Sequence, residues 1–138
     1  MSGSPEPMSV KHEPPTIVPQ RPPFVDERGQ IQNLIDAPFA SAAVIRSVKG
    51  AVRANHYHRE DSHYSYMLSG AMEYTEEPIP GVAGPRQSAL IQAGDMVYTA
   101  PMNVHTMRFL EDSVFIALAT KSRRDGAYED DTVRVART

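Results

Sequence analysis

The chain has 138 residues and a mass of 15.3 kDa, with 41% hydrophobic and 22% charged residues, which bounds it to one globular domain with a single modest core. A formal net charge of −3 provides no basic face for nucleic acid, and the absence of cysteine excludes disulfides, a thiolate nucleophile and thiolate metal ligands. The opening MSGSPEPMSV has neither the basic end nor the apolar run of a secretion signal, and no later segment approaches a membrane span, so a cytoplasmic protein with no membrane partner is expected.

Residues 1–23 hold seven of the twelve prolines. Proline fixes φ and removes a backbone donor, so this stretch is expected to be an extended or disordered arm, leaving residues 24–138 as the domain. Beyond it, short apolar runs predict strands near 31–35, 42–48, 52–58, 63–68, 71–76, 88–92, 95–99, 104–109, 113–119 and 132–135. Turn signals fall between them at Lys49-Gly50, Ser69-Gly70, Pro78–Gly81 and Ala93-Gly94-Asp95. No segment keeps a helical apolar period over three turns, and the acidic run Glu129-Asp130-Asp131 reads as a solvated turn. Many short, evenly spaced strands without a repeat predict an all-β sandwich or barrel.

Four of the five histidines lie on three of these strands, and the fifth, His12, lies in the arm. Alternation puts His56 and His58 on one face of their strand. His63, Ser65 and Met67 share a face of the next, and His105, Met107 and Phe109 share a face of a later one. Four neighbouring neutral imidazoles inside a barrel would bury several polar nitrogens at a cost, and a bound divalent cation removes that cost. Imidazole suits Zn, Fe, Ni and Cu better than Mg or Ca, and Mn joins them as a candidate. The blander alternative for each histidine is a core residue satisfied by a hydrogen bond.

Among the other polar residues, Arg28, Arg53 and Arg108 offer forks for a phosphate or carboxylate, with a surface ion pair as the alternative. Strand parity puts Arg53 and Arg108 opposite the neighbouring histidines unless a bulge intervenes. Tyr98 and Tyr66 are candidates for proton transfer, Tyr98 the stronger, although strand aromatics more often pack. The methionines, Met67, Met96, Met102 and Met107 among them, read as flexible core filler near the pocket.

The histidine strands resemble the cupins, whose first motif is G-x5-H-x-H-x3/4-E-x6-G. Here Gly50, His56, His58, His63 and Gly70 follow that spacing, with His63 in the place of the glutamate. The second motif, G-x5-P-x-G-x2-H-x3-N, resembles GDMVYTAPMNVHTMRF, where Gly94 to His105 keeps the span, Pro101 stands one position late and Phe109 replaces the asparagine. The resemblance implies a single-domain jelly-roll β-barrel, a homodimer, and one divalent transition metal (Zn, Fe, Ni, Mn or Cu) on His56, His58, His105 and His63. Around it the implied substrate pocket includes Ser65, Met67, Met107, Phe109 and Arg53.

A second, more local likeness is to cupins that epimerise or isomerise nucleotide-linked keto-sugars, carried by Asp26-Glu27-Arg28-Gly29 and by Arg53-Ala54-Asn55-His56. In those enzymes a histidine serves as general base and a metal is generally not needed. The two resemblances thus give the same histidines different roles. The expectation is a metal-dependent isomerase or epimerase of a keto-sugar or other oxygen-rich small molecule. An Fe- or Cu-dependent dioxygenase and a non-catalytic small-molecule-binding cupin are the alternatives.

Overall fold

The computed structural model describes residues 16–124 and 126–135. Among these described residues twelve strands and one short helix follow in order. They are β1 (Thr16–Ile17), β2 (Phe24–Asp26), β3 (Gly29–Ile31), β4 (Ser41–Ser47), β5 (Val52–His58), β6 (His63–Ser69) and β7 (Ala71–Pro78), then β8 (Gln87–Gln92), β9 (Met96–Thr99), β10 (Asn103–Phe109), β11 (Ser113–Ala119), α1 (Ala127–Asp130) and β12 (Thr132–Arg134). Two five-stranded antiparallel sheets, β1-β9-β6-β11-β4 and β12-β5-β10-β7-β8, form a jelly-roll barrel, and β2 and β3 make a separate hairpin. The all-β expectation is met, strand by strand, from residue 41 onward.

The early strand is the exception. Residues 32–35 carry no strand, and pairing is confined to a hairpin that turns at Glu27-Arg28, with Asp26 opposite Gly29. The Asp26 carboxylate accepts the Arg28 backbone N–H at 2.9 Å, an Asx-type turn that closes the chain before the apolar IQNLI run begins. The end of the proline-rich arm also departs from expectation, since Thr16 and Ile17 pair with Tyr98 and Val97 in the first sheet. The rest of that arm, His12 included, lies outside the described residues.

From β4 onward successive strands switch sheets, except at the β7–β8 hairpin, so the inward faces of both sheets meet in one core. Met67, Met72, Tyr74, Ile91, Val97, Met107, Phe109, Phe115 and Ala117 form it, with Phe109 stacked on Phe115 at 5.9 Å. Each large apolar side chain buried there contributes roughly 1.5–3 kcal/mol. Gly70 joins β6 to β7 at φ 87°, where a Cβ would collide with Ser113 and the Asp112 carbonyl, so only glycine permits so tight a passage between sheets.

The inward positions are graded along the strands. On β6 they run His63, Ser65, Met67, and on β10 they run His105, Met107, Phe109. One end of the barrel is therefore packed hydrocarbon and the other is imidazole.

Candidate active site

His56 and His58 come from β5, His63 from β6 and His105 from β10, with His56 directly opposite His105 in the ladder. Their ring centroids lie 4.5 Å apart for His56–His105 and 5.2 to 5.6 Å apart for His56–His58, His58–His63, His58–His105 and His63–His105. The four sequence-predicted imidazoles form one cluster. Burial foremost, then the neighbouring imidazoles of His63 and His56, pulls His58 down to about 4. Burial and the same crowding hold His105 well below the usual histidine range. Both are neutral near pH 7, the form that offers a nitrogen lone pair.

Ligand atoms of His56, His58 and His105 lie within 4.8 Å of one another, close enough for one divalent ion to bind all three. This all-imidazole donor set fits Zn, Fe, Ni or Cu by its chemistry, whereas Mn favours oxygen ligands. His63 falls in a second group, with His58 and Asp61, and its Nδ1 lies 3.2 Å from the Asp61 carboxylate.

Asp61 was not singled out in the sequence, yet it is fully buried beside the cluster. One of its oxygens accepts the Thr120 and Lys121 backbone N–H groups and the Thr120 hydroxyl at 3.0 to 3.1 Å, and the other faces His63. Burial raises the Asp61 pKa, but the hydrogen bonds and charge interaction with His63 and the Thr120 bond outweigh it, and the net shift is downward. An ionised carboxylate there fixes the proton on His63 Nδ1 and leaves Nε2 as the basic nitrogen. A second buried layer lies behind His105. Tyr74 stacks on it at 6.4 Å, and its hydroxyl bonds to Thr99 and donates to Glu76 at 3.2 Å. Burial pushes Glu76 up to about 7, and Asn103 Nδ2 donates to it at 3.3 Å.

A cavity of about 180 Å³ opens onto the cluster, lined by His56, His63, His105, Ser65, Met107 and Arg53, with Ile45, Phe115, Ala117 and Arg123 completing the wall. Ser65, Met107 and Arg53 thus stand where the pocket was expected. Arg53 does so because β5 carries a bulge. Between His56 and Arg53 it advances three residues while β10 advances two, from His105 to Met107. Asn55 takes up the extra residue at φ 63°, which returns Arg53 to the histidine face.

Met67 and Phe109 do not line this cavity; they sit one step deeper, in the apolar core. Tyr98 is also misplaced by the sequence reading. It pairs with Tyr64 on the opposite face of β9, rings 4.9 Å apart, while Val97 and Thr99 point inward. Tyr66 shares that outer face of β6 with Tyr64. Arg108 lies on the outer face of β10 and is bound to Glu73 at 2.9 Å, and Arg28 is bound to Asp26 on the hairpin. Asp131 is not solvated: it is buried, and its carboxylate accepts the backbone N–H groups of Glu60 and Asp61 at 2.8 to 3.1 Å. Of these groups, Asp61 had a local signal, a short acidic side chain two residues before a strand histidine. Asp131 had none, because its partners are far away in sequence, and Glu76 had only Tyr74 two residues before it on β7, its other partner Asn103 lying 27 positions on.

No protein-family model and no curated protein sequence matches the chain. Its fold is nevertheless shared with several solved sugar ketoisomerases and epimerases. A 3,4-ketoisomerase from Helicobacter canadensis superposes with a TM-score of 0.72 at 18% identity, over 89% of this chain and 92% of that one. The sugar 3,4-ketoisomerase QdtA from Thermoanaerobacterium thermosaccharolyticum, solved with TDP, gives 0.70 at 16%, over 87% of each chain. A dTDP-4-dehydrorhamnose 3,5-epimerase from Sulfolobus tokodaii gives 0.69 at 17%, over 90% of this chain and 83% of that one. Among the described residues no helix is long and apolar enough to cross a membrane.

Proposed function

We propose that this jelly-roll chain is an isomerase or epimerase of a small carbonyl compound, a keto-sugar or keto-acid, with His63 as the proton carrier and a divalent transition metal on His56, His58 and His105. The observation that carries the reading is one cavity lined by His56 and His105, two of the three imidazoles whose ligand atoms lie within 4.8 Å of one another, and by His63, an imidazole braced by a buried carboxylate. The shared fold of sugar ketoisomerases and a sugar epimerase supports the same reaction class.

Carbonyl isomerisation needs a base for the C–H beside the carbonyl and a place for the negative charge that develops on oxygen. His63 Nε2 takes that proton, and Asp61 stabilises the imidazolium that results. The same nitrogen returns the proton to the former carbonyl carbon while a proton passes from the adjacent hydroxyl to the carbonyl oxygen, which moves the carbonyl; inversion instead requires a second proton donor on the opposite face. When bound, the metal supplies Lewis acidity to the carbonyl oxygen. Ile45, Met107 and Phe115 keep the reacting carbon in an apolar wall and limit water there. The homodimer belongs to the same proposal. Strand β4 ends one sheet with Val44 exposed, and light scattering at twice 15.3 kDa is the expected result.

The test is proton NMR in deuterium oxide, with a panel of free keto-sugars, keto-acids and TDP-4-keto-6-deoxyglucose, on tag-free protein assayed for metals. About one transition metal per chain is expected, with oxygen-independent loss of a C–H signal that His63→Gln abolishes while metal content holds. A fall in metal content with His63→Gln would instead make His63 a ligand. Exchange persisting without any metal would turn the whole cluster to acid–base work. An absolute need for O2 would favour a dioxygenase, and tight ligand binding without exchange would favour a binding module.

A further inference from the structure

We infer that the compound this cavity takes is a small free keto acid whose carboxylate is held by Arg53, not a nucleotide-linked sugar; the inference rests on the proton-transfer reading above and names its substrate class. Three features of the cavity converge on it.

The first is Arg53 itself. The β5 bulge turns it onto the histidine face, and its guanidinium reaches across to the other sheet, where Nε donates to Ser47 Oγ at 3.0 Å and Nη2 to the Arg46 carbonyl at 3.2 Å. Those bonds use two of its five N–H donors and set the plane of the fork. Among the described residues no carboxylate lies within 4.0 Å of it. Arg28 and Arg108, the other forks that the sequence offered, are bound to Asp26 and Glu73 away from the cavity. Arg123 is the cavity's other cation.

The second is Ser65. It is fully buried on the cavity wall between the two sheets, and among the described residues its hydroxyl has no hydrogen-bond partner. A buried hydroxyl without a partner carries a standing desolvation cost, which a polar ligand atom removes. A carboxylate or carbonyl oxygen accepts from it directly.

The third is size. The cavity's volume is about 180 Å³. Arg53 stands opposite Met107, two residues along β10 from His105, a rise of roughly 7 Å. A carboxylate at Arg53 and a carbonyl at the imidazoles are therefore separated by only a few carbons. A nucleoside diphosphate calls for several cations and a stacking platform, and among the described residues the cavity wall has two arginines and, beside the imidazoles, one aromatic ring, Phe115.

Carboxylate and phosphate share the chemistry that Arg53 recognises, so the experiment separates them. Calorimetric titration of the full-length protein uses 2-oxobutyrate, its carboxylate-free analogue 2-butanone, inorganic phosphate and TDP. Saturable binding of 2-oxobutyrate is expected, with 2-butanone at least tenfold weaker and TDP and phosphate weaker still. Arg53→Gln should weaken 2-oxobutyrate at least tenfold, Arg53→Lys by less, and Ser65→Ala several-fold, with melting temperatures reported beside each. Stronger binding of TDP or phosphate than of 2-oxobutyrate overturns the inference, as does undiminished binding by a folded Arg53→Gln. The two readings fail separately. If 2-oxobutyrate does not bind while a TDP-keto-sugar exchanges protons in a His63-dependent way, the proton-transfer reading stands and the keto acid falls. If 2-oxobutyrate binds through Arg53 and no compound in the panel exchanges, the ligand class stands and the reaction falls.

Discussion

At the scale of single residues, the division of labour between the two oxygens of Asp61 makes a sharp prediction. In Asp61→Asn the side-chain carbonyl can still accept from Thr120 and Lys121, while the amide now points at His63 Nδ1. An amide donor forces the opposite tautomer, which puts the proton on Nε2 and removes the base. The expected loss of proton-exchange rate is about 10²–10⁴-fold with little change in fold, read by NMR exchange beside circular dichroism. Full exchange activity in a folded variant would mean that Asp61 does not set the tautomer.

Glu76 makes a prediction about pH. Its folded pKa of about 7 lies above the ordinary 4.5, so the native state holds the proton more tightly than the unfolded chain. The associated stability is fully present below about 4.5 and is lost as pH rises through 7. Glu76→Gln abolishes that dependence, so its stability relative to the parent should rise by about 1–2 kcal/mol between pH 5 and pH 8, allowing for partial solvent screening. Urea denaturation at the two pH values measures it, and parallel pH curves would show that Glu76 is not the group responsible.

At the scale of elements, the β5 bulge is the feature that brings a cation to the site. A non-glycine residue in the left-handed region costs about 1–2 kcal/mol, least for asparagine. Asn55→Gly should therefore leave the melting temperature nearly unchanged, offsetting relief of strain against the lost 3.5 Å contact from Thr106. Asn55→Val should destabilise by about 1–3 kcal/mol, because a branched side chain strongly disfavours that φ. Calorimetric melting of both variants checks the pair, and equal stabilities would remove the bulge strain from the account. Strand parity alone had put Arg53 outside the barrel, and the one inserted residue reverses that.

At the scale of the whole molecule, the chain's C-terminal segment closes the site from behind. Strand β12 pairs with β5 through His58 and His56, Thr132 Oγ1 lies 3.1 Å from His58 Nδ1, and Asp131 holds the amides of residues 60 and 61. The loop that carries Asp61 is thus anchored by a residue 70 positions away. Asp131→Ala leaves those two buried-side donors without their acceptor and is expected to cost about 2–3 kcal/mol. Asp131→Asn, which keeps one acceptor oxygen, should cost less. Denaturant midpoints rank the three proteins, and an unchanged midpoint for Asp131→Ala would show that the clasp is incidental.

By itself the sequence determined the barrel and the imidazole cluster. Alternation has a period of two, glycine and proline mark where it is interrupted, and the histidines' strand positions follow from counting. His56, His58, His63 and His105 converge as that count requires, and Ser65 and Met107 fall on the cavity beside them. Only the tertiary structure decided the rest. Depth along a strand separates Met107 on the wall from Phe109 in the core, although both share a face. The orientation of β9 turns Tyr98 away, a bulge turns Arg53 in, and long-range backbone donors convert Asp61 and Asp131 from apparent loop acids into buried anchors. Each of these depends on contacts between residues far apart in the chain, and periodicity carries information only about neighbours.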